Sequence, residues 1–269
     1  MTEIKETLGI LKARWPEVTL IVGLYALAVL SNNLFRAARP DLTKTLLLLR
    51  IPFSLFSLTL MVVLMILNYG FLRTVHLQGQ KRQMPIDLLK IGKHFFWRMV
   101  GFGLIYVVPY FVLAWLTFLI IKYFTSIDTG FLETAKVYPW LYQLCSIAPM
   151  LILVKVVLFI PALILVLDCG VFESFKFLRK CKLLDSRELV ALFCLRMVLP
   201  FLWVFLRILY NPETTSQYIL RSVPTVIGYV LWLIIAVTAV RFVASQNLVY
   251  DGSTNDSNSE DLLQPSTKD

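Results

Sequence analysis

Apolar positions in this chain come in long unbroken runs, not in alternation with polar ones. Four runs carry no charge: Val18–Phe35, Ile51–Leu72, Met99–Ile121 and Ser222–Val240, 18 to 23 residues each. Each is close to the length that crosses a hydrocarbon core of ~30 Å as a helix. Two further stretches, Leu141–Leu167 and Leu189–Leu206, are interrupted by single cations, Lys155 and Arg196. The pattern predicts an all-α fold, a polytopic membrane helix bundle with about six transmembrane helices plus amphipathic interfacial helices.

Shorter periodicities frame the runs. Ile4, Leu8, Leu11 and Trp15 recur at helical spacing. Residues 1–17 are therefore expected to form an interfacial helix that lies flat on the inner leaflet. Pro16 is expected to end it. In the loop Arg73–Arg98, Leu88, Gly92, Phe95 and Met99 mark one face, and Asp87, Lys90, His94 and Arg98 the other. A short interfacial helix leading into the third span is expected there. Val171–Lys180 is also amphipathic, and Asp185 with Glu188 has capping-box spacing. Pro109, Pro149 and Pro161 fall inside spans, where a missing N–H bends a helix. Tyr138-Pro139-Trp140 is placed at the outer interface. The division is thus 1–17, an 18–250 transmembrane domain, and a polar 251–269 tail too poor in apolar residues to fold.

Composition agrees with this picture. The chain is 58% hydrophobic and 16% charged, whereas a soluble domain is ~45–50% apolar and ~25% charged. The net charge of +9 does not point to nucleic acid, because the cations gather at span boundaries. With the N-terminus inside, 16 Lys and Arg fall on inner segments and eight on outer ones. That bias predicts a multi-pass cell-membrane protein with both termini cytoplasmic. Ala26-Leu27-Ala28 has a small-x-small pattern, but the apolar run continues past it, so no cleaved leader is expected.

Candidate chemistry is sparse. Cys145, Cys169, Cys181 and Cys194 form no CxxC pair and are read as free thiols. His76 and His94 lack a third ligand at helical spacing, so no metal or other cofactor is expected. Lys155 and Arg196 are the residues of interest. A charge at the centre of a span costs ~2.5–3.5 kcal/mol on insertion scales and needs a partner. None of the 17 acidic residues falls mid-span. Two unpaired cations facing a common cavity would bind an anion, such as a lipid phosphate, with Asn68, Tyr106, Tyr142, Gln143 and Ser146 as candidate donors. Otherwise Arg196 binds carbonyls freed near Pro200, and Lys155 snorkels.

The basic segment Ile86–Arg98, the proline-bearing Pro161-Ala162-Leu163 and the segment Val171–Lys180 together resemble bacterial six-span integral membrane proteins of unassigned function. The layout is similar to the membrane domain attached to some glycerophosphodiester phosphodiesterases. The phosphodiesterase domain itself is absent, so the resemblance implies no catalytic activity and transfers no site residues. The expected function is non-enzymatic: a scaffold or accessory protein that binds the bilayer, anionic lipid or another membrane protein. The alternative is a permease subunit of an ATP-driven transporter, with Pro85–Arg98 against an ATPase partner. An intramembrane enzyme would need a nucleophile or paired carboxylates at matching depth, and Ser146 is nine residues from Lys155. A single cysteine placed within Arg73–Arg98 should react with an impermeant thiol reagent only after the membrane is opened. Labelling of intact cells would reverse the orientation.

Overall fold

Backbone that crosses lipid must satisfy its own hydrogen bonds, and helices do so within one segment. The computed structural model describes residues 2–37, 47–79, 81–125, 139–181, 186–209, 215–246 and 248. Among them are nine helices and no strand: α1 Thr2–Ala13, α2 Trp15–Ala37, α3 Leu47–Gln78, α4 Pro85–Thr125, α5 Pro139–Ile152, α6 Val154–Leu167, α7 Val171–Leu178, α8 Arg187–Leu209 and α9 Thr215–Ser245. Tyr138, Asp185, the cations Arg39 and Lys44 and the tail 251–269 lie outside the described residues.

Four stretches are long and apolar enough to cross a membrane: Trp15–Asn33, Leu55–Gln78, Pro85–Phe124 and Ser222–Ser245. A fifth is the pair Leu144–Ile152 and Val154–Leu167, bent by 58° at Leu153. The bend falls between Pro149 and Pro161, neither of which can donate to the carbonyl four residues before it. The run Leu189–Leu206 lies in α8, which is helical over 23 residues.

α3 and α4 form the tightest pair. A Cβ on Gly70 would sit 1.9 Å from the Leu88 carbonyl oxygen, and one on Gly92 would sit 1.8 Å from that of Ile66. The two backbones therefore touch, in antiparallel register, where only glycine fits. Leu88, Gly92, Phe95 and Met99 are all buried at this seam. The amphipathic face read from the sequence thus packs on protein, not on lipid. Nor is it a separate short helix: α4 runs unbroken for 41 residues, ~60 Å, through Pro109 and beyond.

The described core gathers at the end of the bundle that carries α1. It draws on Leu64–Val75 of α3, Leu158–Leu165 of α6 and Leu233–Val243 of α9. Away from it, α4 exposes Leu104, Phe111, Trp115 and Phe124, the latter at 79%, as a lipid-facing surface does.

α1 differs from its expected placement. Its buried side is Thr7, Ile10 and Arg14, while Leu8 and Trp15 lie open on the adjoining sector. Thr7 meets Thr238 of α9 at 3.2 Å, the Ile4 N–H donates to Glu188 at 2.8 Å, and Arg241 pairs with Glu6. Polar contacts thus hold α1 against α8 and α9. The helix breaks at Arg14, and Pro16 opens α2 instead of closing α1. This suits proline, whose missing N–H falls where a first turn has no partner for it.

That break seats a buried charge pair. Arg14 is fully buried. It donates to Glu17 at 2.5 Å and to Thr74 Oγ1 at 2.8 Å, and its guanidinium lies 4.7 Å from the Phe71 ring centroid. Glu17 also accepts the Gln83 N–H at 2.5 Å. Burial lowers the Arg14 pKa, and the Glu17 hydrogen bond and charge oppose that fall.

Replacing Gly92 with alanine should force α3 and α4 apart and lower stability by about 1–3 kcal/mol or more. Gly103→Ala, at a position with open space around it, should be close to neutral. Thermal unfolding of the two variants in detergent separates these outcomes.

Candidate functional site

Two polar features stand out inside the bundle, and they behave oppositely. The first is a closed cluster at the end of α6. Asp168 there adopts a left-handed conformation, φ 52°, which Asp tolerates better than most residues. The last carbonyls of a helix have no partner in the helix itself. Here Arg73 donates to the carbonyls of Leu165 and Val166, the latter at 3.0 Å, and Arg98 to that of Asp168 at 3.0 Å. The Asp168 carboxylate pairs with Arg98, lies 3.2 Å from His94 Nε2 and 3.9 Å from Arg73. Cations at a helix C-terminus also offset its partial negative charge.

The adjoining chain turns tightly. The Gly170 N–H donates to Glu173 at 2.8 Å and starts α7. Cys169 is buried, and burial pushes its thiol up to about 11. Arg73 and Arg98 share the Asp168 carboxylate and the end carbonyls of α6, so the cluster fastens α6 to α3 and α4.

The second feature is open. A cavity of about 180 Å³ lies between α3, α5, α6, α8 and α9. Its walls include Tyr69, Met150, Pro161, Phe193, Arg196 and Trp232. Apolar side chains make up most of the rest, and Arg196 is the charged residue in the lining. Among the described residues its guanidinium forms no hydrogen bond or ion pair. Gly228 lies opposite, where an added Cβ would be 3.5 Å from an Arg196 terminal nitrogen.

Behind the cavity is a stacked aromatic pair, Tyr25 and Tyr229, with ring centroids 3.8 Å apart and planes within 9°. Asn68 donates to the Tyr229 hydroxyl at 2.5 Å, and its own carbonyl oxygen is buried without a partner among the described residues.

Of the two cations within apolar runs, Arg196 lines the cavity and Lys155 does not. The wall contributed by α6 is built from Val157, Leu158, Pro161, Ala162 and Leu165. Lys155 follows the 58° bend and lies near Cys181 instead. α7 packs back along α6, which brings the segment after it to the start of α6. Burial pushes the Cys181 thiol up, and the Lys155 ammonium pulls it back. Lys155 is thus not among the residues that line the cavity.

The other donors read from the sequence divide likewise. Asn68 is committed to Tyr229. Tyr106 is part of a ladder with Phe102 and Tyr110, and its hydroxyl has no partner among the described residues. Ser146 offers its carbonyl to Tyr110 at 3.3 Å. The side chains of Tyr142 and Gln143 lie outside the described residues. Tyr69 and Trp232, which do line the cavity, had no distinguishing sequence signal, being two apolar-compatible aromatics in apolar runs. At the start of α8, Ser186 accepts the Leu189 N–H at 3.3 Å and donates to Glu3 at 2.8 Å.

Of the four free cysteines, Cys145, Cys169 and Cys181 are buried and Cys194 is exposed. No group of three His, Cys, Asp or Glu that could hold a metal occurs among the described residues. Searches against models of protein families, curated proteins and solved structures each return no match.

Asp168→Asn keeps the side chain's shape and its tolerance of the left-handed backbone but removes the charge. It should lower stability by about 1.5–3 kcal/mol, the usual worth of hydrogen bonds to charged partners. Unfolding in detergent by a chemical denaturant would register the loss. A neutral result would show that Arg73 and Arg98 hold the α6 carbonyls without the carboxylate.

Proposed function

We propose that this protein is a six-span membrane component with both termini inside the cell. Its function is to hold an anionic amphiphile within the bundle, as a scaffold or accessory element and not as a catalyst. One observation carries the reading: Arg196 lines an apolar cavity with no protein hydrogen bond or counter-charge among the described residues. An unpaired cation within a span is costly, and such residues characteristically mark a ligand or ion path. The contrast with the rest of the chain supports this. Arg14, Arg73 and Arg98 are each given a carboxylate and neutral acceptors.

The cavity's chemistry suits an amphiphile. Its walls accept acyl chain, and Arg196 offers a forked pair of donors to a carboxylate or phosphate. The exposed cations Lys90, Lys93, Lys176, Arg179 and Lys180 would draw anionic lipid toward the protein.

Gently extracted protein should retain an anionic lipid in native mass spectrometry. Arg196→Met should lose most of that adduct, and Lys155→Met should keep it. Equal retention in wild type and Arg196→Met, or retention of zwitterionic lipid alone, would remove this reading.

A further inference from the structure

We infer that α4 and α7 together form a docking surface for anionic phospholipid of the surrounding leaflet. Trp97 and Phe172 enter the edge of the acyl layer, and the cations that neighbour them in each helix meet the phosphates. This surface is separate from the Arg196 cavity and stands whether or not that cavity holds a ligand.

The membrane edge is marked on α4 itself. Between Lys90 and His94 its exposed residues are Lys90, Lys93 and His94. From Trp97 to Phe124 every exposed residue is apolar or aromatic. Trp97 is 74% exposed, and Leu104, Val108, Phe111, Trp115 and Phe124 continue the strip. Trp97 to Phe124 covers ~40 Å of helix, and a bilayer with its interfaces is ~40–45 Å thick. Trp is favoured at that boundary. The change of character at Trp97 therefore puts the head groups beside Lys93 and Lys90.

α7 begins at the same edge. Arg98 pairs with the Asp168 carboxylate, and a Cβ added to Gly101 would meet the Val171 side chain at 3.8 Å. Phe172, next in the chain, is 77% exposed. Lys176, Arg179 and Lys180 follow it at helical spacing and are exposed as well. Both helices thus present an open aromatic ring and then cations within one or two turns.

The charges are of one sign. No acidic residue lies between Lys90 and Trp97, and the one acid of α7, Glu173, accepts the Gly170 N–H. An acidic protein surface would match the cations but not the two rings, which continue the lipid-facing strip of α4. Anionic phospholipid matches both, with phosphate for the cations and acyl chain for the rings.

The test uses the full chain in nanodiscs of equal parts phosphatidylcholine and phosphatidylglycerol. The exposed Cys194 is changed to serine and the buried cysteines are left in place. A nitroxide is then attached at Trp97→Cys, Phe172→Cys, Lys93→Cys or Lys176→Cys, one at a time. Oxygen should relax the labels at 97 and 172 more than a water-soluble nickel chelate does, and the chelate should win at 93 and 176. Spin-labelled phosphatidylglycerol should associate with the wild type at least about two-fold better than spin-labelled phosphatidylcholine. Changing Lys90, Lys93, Lys176, Arg179 and Lys180 together to glutamine should bring that ratio close to one, while Arg196→Met should leave it in place. High salt should weaken the preference of the wild type, a readout that needs no variant to fold.

Labels at 97 and 172 that are open to the chelate would put this face in water and make a soluble protein its partner. Equal association of the two lipids with the wild type would remove the anionic-lipid surface. A preference lost in Arg196→Met and kept in the glutamine variant would move the bound lipid to the cavity, overturning this inference and leaving the reading of Arg196 intact.

Discussion

The contact between α3 and α4 sets the positions of the polar groups around it. Gly70 and Gly92 let two backbones approach until a Cβ on either would overlap a carbonyl. In lipid there is no hydrophobic force between helices, so close packing of small residues is a main source of association. The chemistry then follows by helical spacing. Three and four residues past Gly70 come Arg73 and Thr74, one turned to the end of α6 and the other to Arg14. Three and six past Gly92 come Phe95 and Arg98, with Arg98 on Asp168. Widen the crossing and Arg73 and Arg98 can no longer meet on Asp168 together.

Those clusters also explain why the chain can carry so many cations at one end. Membrane-boundary arginines are usually counted as surface charge that fixes orientation. Here three of them turn inward. Arg14 joins the α1–α2 junction to Thr74, while Arg73 and Arg98 cap the open carbonyls of α6. Removing one partner from a buried pair leaves an uncompensated charge, which is the expensive state. The chain avoids that state wherever a cation serves the fold. Arg196 is the exception: it lines an internal space whose other lining residues are uncharged.

Sequence reasoning reaches some of this and misses the rest for definable reasons. The apolar runs identify helices because lipid leaves the backbone few choices. The Leu88, Gly92, Phe95 and Met99 face was legible from spacing alone, but its partner was not. A helix face that avoids water looks the same whether it meets lipid or a second helix. The Arg14–Glu17 pair is local, at three residues' separation, yet its third member, Thr74, is 60 residues away. For α1, Ile4, Leu8, Leu11 and Trp15 gave the more conspicuous apolar stripe. The stripe that is buried instead includes Thr7 and Arg14, because Thr238 and Glu17 satisfy them.

The 58° bend at Leu153 shapes the site. Beyond it α6 is unbroken from Val154 to Leu167, so Lys155 stays about 20 Å along the helix from Asp168. α7 folds back along α6, and Cys181 comes to the neighbourhood of Lys155. The same turn brings Met150 from one side of the break and Val157 and Pro161 from the other to the wall beside Arg196. One distortion therefore brings both halves of the broken helix to the apolar chamber beside Arg196, the charged residue of its lining.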